Sequence, residues 1–214
     1  MTLLITGANR GIGAALVKTL SARGHEVLGT ARHTPGLLPL DVSDPASPKA
    51  LAEHLGESKL DALICNAGVY LDKPEPLDTG YPPEMWAEMF AVNVTGVFLT
   101  VQAMLPLLER AETPKIMIIS SQMGSNALAK GNALIYRASK AAALNLGTNL
   151  AAALKPRGIA VGIYHPGWVS TEMGGSGAEL TPEQSAAGLA DRLDALSLGT
   201  TGCFETWDGR AHAY

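Results

Sequence analysis

Leu3-Leu4-Ile5-Thr6-Gly7-Ala8-Asn9-Arg10-Gly11-Ile12-Gly13 decides the fold. Residues 2–6 are a short apolar run, too brief for a core helix, and they predict a buried strand that ends at Thr6-Gly7. From Gly11 to about Ala22, Ile12, Leu16 and Leu20 recur at helical spacing, and Gly24 follows as the C-cap. The glycines between strand and helix let the backbone approach a pyrophosphate, and a helix N-terminus supplies free N–H groups and a positive dipole end. The spacing is Gly-xxx-Gly-x-Gly, which departs from the commoner GxGxxG fingerprint. A tight connection alone would use the same glycines. The position at the start of an alternating pattern favours binding.

Outward from this turn, strands and helices alternate. Val27-Leu28 predicts a second strand and 37–40 a brief third. Residues 45–55 predict a helix with Asp44 as its N-cap. Ala62–Cys65 is a fourth, buried strand. Residues 70–83 carry Pro74, Pro76, Gly80, Pro82 and Pro83 and predict a loop. A long helix then covers about 84–110, distorted near Pro106. Strands at 115–120, 159–164 and 202–206 alternate with helices at about 135–155 and 182–196. Such βα units with nearly all-apolar strands predict an α/β fold: one doubly wound domain, residues 1–214, with a parallel sheet of about seven strands and helices on both faces.

Composition agrees with a folded domain: 214 residues, 47% hydrophobic and 17% charged. A net charge of −4 and a pI near 5.7 give no general attraction to nucleic acid or to an anionic membrane. No apolar run reaches the length of a membrane span. The chain enters its first strand without a basic leader, so a cytoplasmic location is expected. Cys65 and Cys203 lie far apart in apolar stretches and are expected to be reduced thiols. The five histidines are scattered without metal spacing, and no metal site is expected.

Further landmarks follow in order: Asn66-Ala67-Gly68 after the fourth strand, Asn93 in the next helix, and Ser120-Ser121 after the fifth strand. Then come Tyr136-xxx-Lys140 and Pro166-Gly167-xxx-Thr171 after the sixth strand. Together with Thr6-Gly7-xxx-Gly11-Ile12-Gly13, the chain resembles the short-chain dehydrogenase/reductase family over most of its length. Within it, the Trp168-Val169-x-Thr171-x-Met173-Gly174-Gly175 run looks similar to the sniffer and C-factor branch of carbonyl reductases. The resemblance implies a Rossmann domain and an oxidoreductase that moves a hydride between a nicotinamide cofactor and a carbonyl or alcohol substrate. Cys65 replaces the first Asn of the family's Asn-Asn-Ala-Gly element, a small departure.

The second strand ends Leu28-Gly29-Thr30-Ala31-Arg32, without the carboxylate that holds an NAD ribose. Arg32 offers a fixed cation and five N–H donors suited to a 2′-phosphate. Arg10 stands where the family's NADPH users often carry a basic residue. NADP(H) is therefore expected over NAD(H). The resemblance assigns cofactor contacts to Gly7, Asn9, Arg10, Gly11, Ile12, Gly13, Arg32, Asp41, Val42, Asn66, Ala67, Gly68, Tyr136, Lys140, Pro166, Gly167, Val169 and Thr171. For Asp41, a turn or capping role is the alternative.

Tyr136 and Lys140 are four apart and share a helix face. The resemblance makes Tyr136 the proton donor to the carbonyl oxygen, and the acceptor in oxidation. A phenol has a pKa of about 10. A lysine cation about 4 Å away, at an effective dielectric of ~20, contributes at most roughly 4 kcal/mol, or about three pKa units. Lysine and a positive nicotinamide ring are thus expected to bring the phenol toward neutrality. Ser121 aligns with the family's catalytic serine, with Ser120 and then Ser125 as the alternatives. Asn93 would hold a water that links Lys140 to solvent. His165 is expected to pack rather than react.

The segment at about 172–182 would close over the substrate, and Trp168, Met173, Met123 and Leu128 either line an apolar pocket or pack in the core. A short lid suits varied aldehydes and ketones. Ala138, Ala141, Ala142, Ala143 and Gly147 permit close approach to the sheet or to a second copy, which would make a homodimer. A different class of function, an NADP(H)-binding sensor or signalling protein with little turnover, is countered by the intact Asn93, Ser121, Tyr136 and Lys140 set.

Overall fold

The computed structural model describes every residue except Pro74, Ser176 and Tyr214, which fall in the proline loop, the expected lid segment and the C-terminal end. The strands are β1 (Thr2–Ile5), β2 (Glu26–Ala31), β3 (Leu38–Pro39), β4 (Ala62–Cys65), β5 (Lys115–Ile119), β6 (Ala160–His165) and β7 (Phe204–Thr206). The α-helices are α1 (Gly11–Ala22), α2 (Ser47–Leu55), α3 (Pro83–Phe90), α4 (Gly96–Leu108), α5 (Leu134–Leu154) and α6 (Pro182–Ala195). The strands form one sheet in the order β3-β2-β1-β4-β5-β6-β7, and every pairing is parallel. The chain steps outward from β1 to β3, returns to β4 beside β1, and steps outward the other way. The order reverses between β1 and β4, and in open parallel sheets the crevice at that reversal receives ligands.

Side-chain alternation splits the core between the two faces. Leu3, Ile5, Ala62, Ile64, Met117 and Ile119 face α1 and α6, where Leu16, Leu20, Leu189 and Leu193 meet them. Leu4, Leu63, Cys65, Ile116 and Ile118 face the opposite layer, with Leu51 of α2, Val101 and Met104 of α4, and Leu154 of α5. Neighbouring residues of one strand therefore serve opposite layers, so the strands read as uninterrupted apolar runs. Gly147 brings α5 onto the sheet: a Cβ there would stand 2.5 Å from Ile163 Cγ1.

Several expectations need correction. Helix α2 starts at Ser47, two residues after the expected start. Asp44 does not cap it but closes a preceding turn, its Oδ1 accepting from Ala46 N at 3.0 Å. The helix expected at 84–110 is α3 and α4 joined by a π-helical segment, Ala91–Thr95. The π-helical segment interrupts the α-helix there, while α4 continues through Pro106 to Leu108. The continuous helix Pro83–Leu108 is also long and apolar enough to cross a membrane, with a mean hydropathy of 1.7, against the expectation that no such run exists. Its apolar side chains Val97, Val101, Met104, Leu107 and Leu108 are buried against the sheet layer.

Candidate active site

The crevice starts where β1 ends. Thr6 Oγ1 accepts the backbone N–H groups of Asn66 and Ala67, both at 3.0 Å, and Asn66 Nδ2 donates back to Thr6 O (2.9 Å) and Gly7 O (3.0 Å). Four hydrogen bonds thus lock Asn66-Ala67-Gly68 to the glycine turn. Gly7 and Gly11 have φ of 65° and 52°, where a side chain is strained. A Cβ on Gly13 would lie 2.1 Å from Gly7 O. Arg10, the residue before α1, makes no side-chain cap, and the first turn of α1 contains no acid. The N–H groups of this helix end are left for an anion. Asn9 is exposed, and Ile12 packs into the core layer beneath.

Two cations stand near this end. Arg10 pairs with Glu172 across the mouth, both side chains being largely exposed. Arg32 is exposed and takes part in no ion pair among the described residues. With His33, Thr34, Pro35 and Leu37 it lines an open groove of about 280 Å³ at the end of β2. Asp41 Oδ1 accepts from Ser43 N (2.9 Å) and Ser43 Oγ (2.6 Å), forming an Asx turn. Those bonds to Ser43, with help from Arg32 and His33, hold its carboxyl below the usual range against the effect of burial. The Val42 carbonyl lies against Gly96, at the start of α4, where a Cβ would come within 2.4 Å of its oxygen.

Farther along the crevice, β5 delivers the two serines and α5 delivers Tyr136 and Lys140. The serines separate cleanly. Ser120 Oγ donates to Lys140 O at 3.0 Å and is tied to the backbone of α5. Ser121 Oγ accepts from Met123 N at 3.1 Å, and it is the hydroxyl that acts on the Tyr136 phenol. Ser125 Oγ is buried without a partner among the described residues. Lys140 Nζ donates to Ile119 O at 3.0 Å and lies 5.7 Å from the Tyr136 ring centre. A Cβ on Gly68 would come 3.3 Å from Asn93 Oδ1 and 3.5 Å from Lys140 Nζ, so glycine, amide and ammonium are close together.

Asn93 sits inside the π-helical segment and is buried. Its Oδ1 accepts from Val69 N, and its Nδ2 donates to Val69 O and to Ser139 Oγ, at 2.9, 2.9 and 3.0 Å. Both amide hydrogens are engaged by protein. The side chain staples the segment after Gly68 to α5.

Burial dominates the electrostatics. It pushes the Tyr136 phenol well above its ordinary value; Ser121 opposes the rise, while Tyr70 and Asp72 add to it. The expected lowering of the phenol by lysine and a positive nicotinamide ring together concerns the cofactor-bound site. Lys140 is itself buried and pulled down to about 8, so its charge is partly at risk. Tyr70 stacks on Tyr136 with ring centres 4.2 Å apart. His165 ends β6, buried with Nδ1 unpartnered among the described residues and its pKa lowered to about 4 by burial, with His212 adding to the shift.

The turn after β6 borders the glycine turn. Pro166 O accepts from Ser185 Oγ at 2.7 Å, Gly167 has a φ of 87°, and Val169 is buried and bridges to Leu180. Thr171 Oγ1 accepts from Gly174 N at 3.0 Å, and its methyl would stand 3.1 Å from a Cβ on Gly11. Trp168 Nε1 donates to Gly174 O at 2.8 Å, and Lys73 Nζ donates to Met173 O from the opposite bank. Trp168, Met173 and Leu128 are exposed, whereas Met123 packs near Tyr136 in a small aromatic cluster. Sequence reasoning missed Tyr70, Asp72, Lys73 and Glu172. The available signal was the start of α5, where Ala133 offers no capping side chain, so the cap has to come from elsewhere.

The residues present fit a dinucleotide: a helix end without a side-chain cap, an Arg32 in no ion pair among the described residues, and a lysine beside a phenol. The family model described as short chain dehydrogenase matches residues 1–179. The 1-hydroxy-2-glutathionyl-2-methyl-3-butene dehydrogenase of Rhodococcus sp. (strain AD45) is 35% identical, over 97% of this chain and 97% of its own. An NADPH-bound carbonyl reductase from chicken fatty liver superposes with a TM-score of 0.91 at 33% identity, covering 100% of this chain and 98% of that one. The carbonyl reductase Sniffer of D. melanogaster gives a TM-score of 0.93 at 26% identity, covering 100% and 99%. The chain belongs to the short-chain dehydrogenase family of oxidoreductases.

Proposed function

We propose that this oxidoreductase is an NADPH-dependent carbonyl reductase in which Tyr136 donates the proton. The observation that carries the proposal is the convergence of Ser121, Tyr136 and Lys140 beside Gly68, which follows β4. NADPH, when bound, supplies the hydride. The chain's own groups do the rest. The Tyr136 phenol, held protonated by burial, is an acid at neutral pH and delivers its proton to the carbonyl oxygen. The Ser121 hydroxyl hydrogen-bonds that same oxygen and orients it. Lys140, whose ammonium stands 5.7 Å from the Tyr136 ring centre, would hold the ribose hydroxyls of the bound cofactor.

Preference for NADP(H) rests on Arg32, in no ion pair among the described residues, just past a strand whose end carries no acid, and it is supported by the NADPH-bound chicken relative. Exposed Trp168, Met173 and Leu128 give the substrate an apolar rim, which suits a range of aldehydes and ketones. The two free cysteines suit a reducing cytoplasm.

The test follows nicotinamide absorbance with NADPH or NADH and a panel of aldehydes, diketones and quinones. Turnover with NADPH is expected, and Tyr136→Phe should lower kcat at least about a hundredfold. An undiminished Phe variant would remove Tyr136 from the chemistry, and faster turnover with NADH would remove Arg32 from cofactor choice.

A further inference from the structure

Helix α5 starts on a strained residue and has no capping side chain of its own. Its N-cap is Ala133, buried, with a φ of 52° in the left-handed region that alanine avoids. The amides left open by this start, Ile135 N–H and Tyr136 N–H, donate to one oxygen, Asp72 Oδ2, at 2.7 and 3.2 Å. Asp72 comes from the loop behind Asn66-Ala67-Gly68, 64 residues before Tyr136. It is fully buried, and its Oδ1 has no hydrogen-bond partner among the described residues. Serine or asparagine would cap the helix without burying a charge. A buried carboxylate with one bare oxygen needs a reason beyond capping.

We propose that Asp72 is a positioning residue for Tyr136: it fixes the first turn of α5 under the tyrosine and opposes the positive field of that helix end, keeping the phenol in its proton-bearing form. The inference rests on Tyr136 being the proton donor. Tyr136 is the third residue of α5, within the turn where the helix dipole favours a phenolate. The carboxylate at the same turn works against that field, and Asp72 is among the groups that raise the phenol. The other neighbours are accounted for. Lys140 faces the ring from the same helix, Ser121 lowers the phenol from the end of β5, and Tyr70 raises it from the loop. Lys73 lies 5.1 Å over the Tyr70 ring, and Arg137 and Tyr81 act on Tyr70. Among the described residues Asp72 is thus the carboxylate that acts directly on the phenol, and its charge biases the site toward giving a proton rather than taking one.

Asp72→Asn keeps an oxygen for the two amides and removes the charge. With NADP⁺ bound and tyrosine labelled at ¹³Cζ, the Tyr136 resonance is identified by its loss in Tyr136→Phe. Its titration is expected to begin about one pH unit lower in Asp72→Asn than in the wild type. The alkaline limb of kcat for carbonyl reduction should move by the same amount, with KM for NADPH within about twofold. Asp72→Ser repeats the titration should the asparagine variant fold poorly. An onset no earlier in the variants overturns the proposal and leaves Asp72 as a cap alone. The NMR titration needs no turnover, so a protein that reduces no carbonyl sinks the proposed function while the ionisation result still decides the role of Asp72.

Discussion

At the N-terminus of α1 the residue before the helix makes no side-chain cap and the first turn carries no acid, whereas at the N-terminus of α5 a carboxylate from a distant loop takes two amides. The same backbone geometry is used in opposite ways. The bare end, rich in glycine and near an exposed arginine, suits an anion that arrives from solvent. At the filled end the amides of Ile135 and Tyr136 are taken by Asp72. The cations differ in the same sense. Arg32 is exposed, while Lys140 is buried and pulled down to about 8.

The largest effect is expected where the bare end has no tolerance. Gly13→Ala places a Cβ 2.1 Å from Gly7 O and 2.6 Å from Asn66 Nδ2, against groups that lock the turn to β4. Backbone must shift, and the variant should lose about 3 kcal/mol of stability in denaturant unfolding. NADPH affinity by fluorescence titration should fall about a hundredfold or more, because the displaced amides no longer converge. An alanine variant that binds NADPH normally would mean that this turn does not cradle the cofactor.

Next comes the cation at the end of β2. Arg32→Ala removes a charge-assisted donor set while leaving α5 untouched. The ratio of kcat/KM with NADPH to that with NADH should fall about 10- to 100-fold, almost all of it through KM. A change in kcat with either cofactor would blur the division between holding and reacting. An unchanged ratio would pass the 2′-phosphate role to Arg10, which would then have to leave Glu172.

The bare end was legible in the sequence and the filled end was not, for a physical reason. Strand, glycines and helix follow one another within residues 2–22, so local spacing carries the whole device. The strands were equally plain, because burial on both faces makes Ala62–Cys65 and its neighbours continuously apolar. Tyr136 and Lys140 could be paired because four residues on a helix share a face. The cap on α5 joins Asp72 to residues more than 60 positions away, and no periodicity announces such a pair. The π-helical segment escaped for a similar reason. Asn93 is held by Val69 and Ser139 from two other elements, while Pro106, the local signal, drew the expected distortion to its own turn. Ser120 and Ser121 are adjacent and chemically alike, so only the direction each takes from the end of β5 could separate them.

The smallest effect concerns the lysine. Burial lowers Lys140 to about 8 from an ordinary 10.5. Between those values the unfolded chain binds more protons than the folded one, so stability rises with pH across that window. The rise from pH 8 to pH 9 amounts to about 1 kcal/mol for a group of this kind. Cys65, raised from 9.0 to about 12, and the raised Tyr136 work in the opposite direction at higher pH, so the comparison is cleanest below 9. Lys140→Met should remove the rise, and the difference between the two proteins in urea unfolding at pH 8 and 9 isolates it. Bound cofactor should also shrink it, since an anionic partner raises the lysine and returns its charge to the site. Arg32→Ala, which keeps the buried Lys140, should retain the wild-type rise from pH 8 to pH 9. A rise lost to the same degree in both variants would mean that it does not report the burial of Lys140.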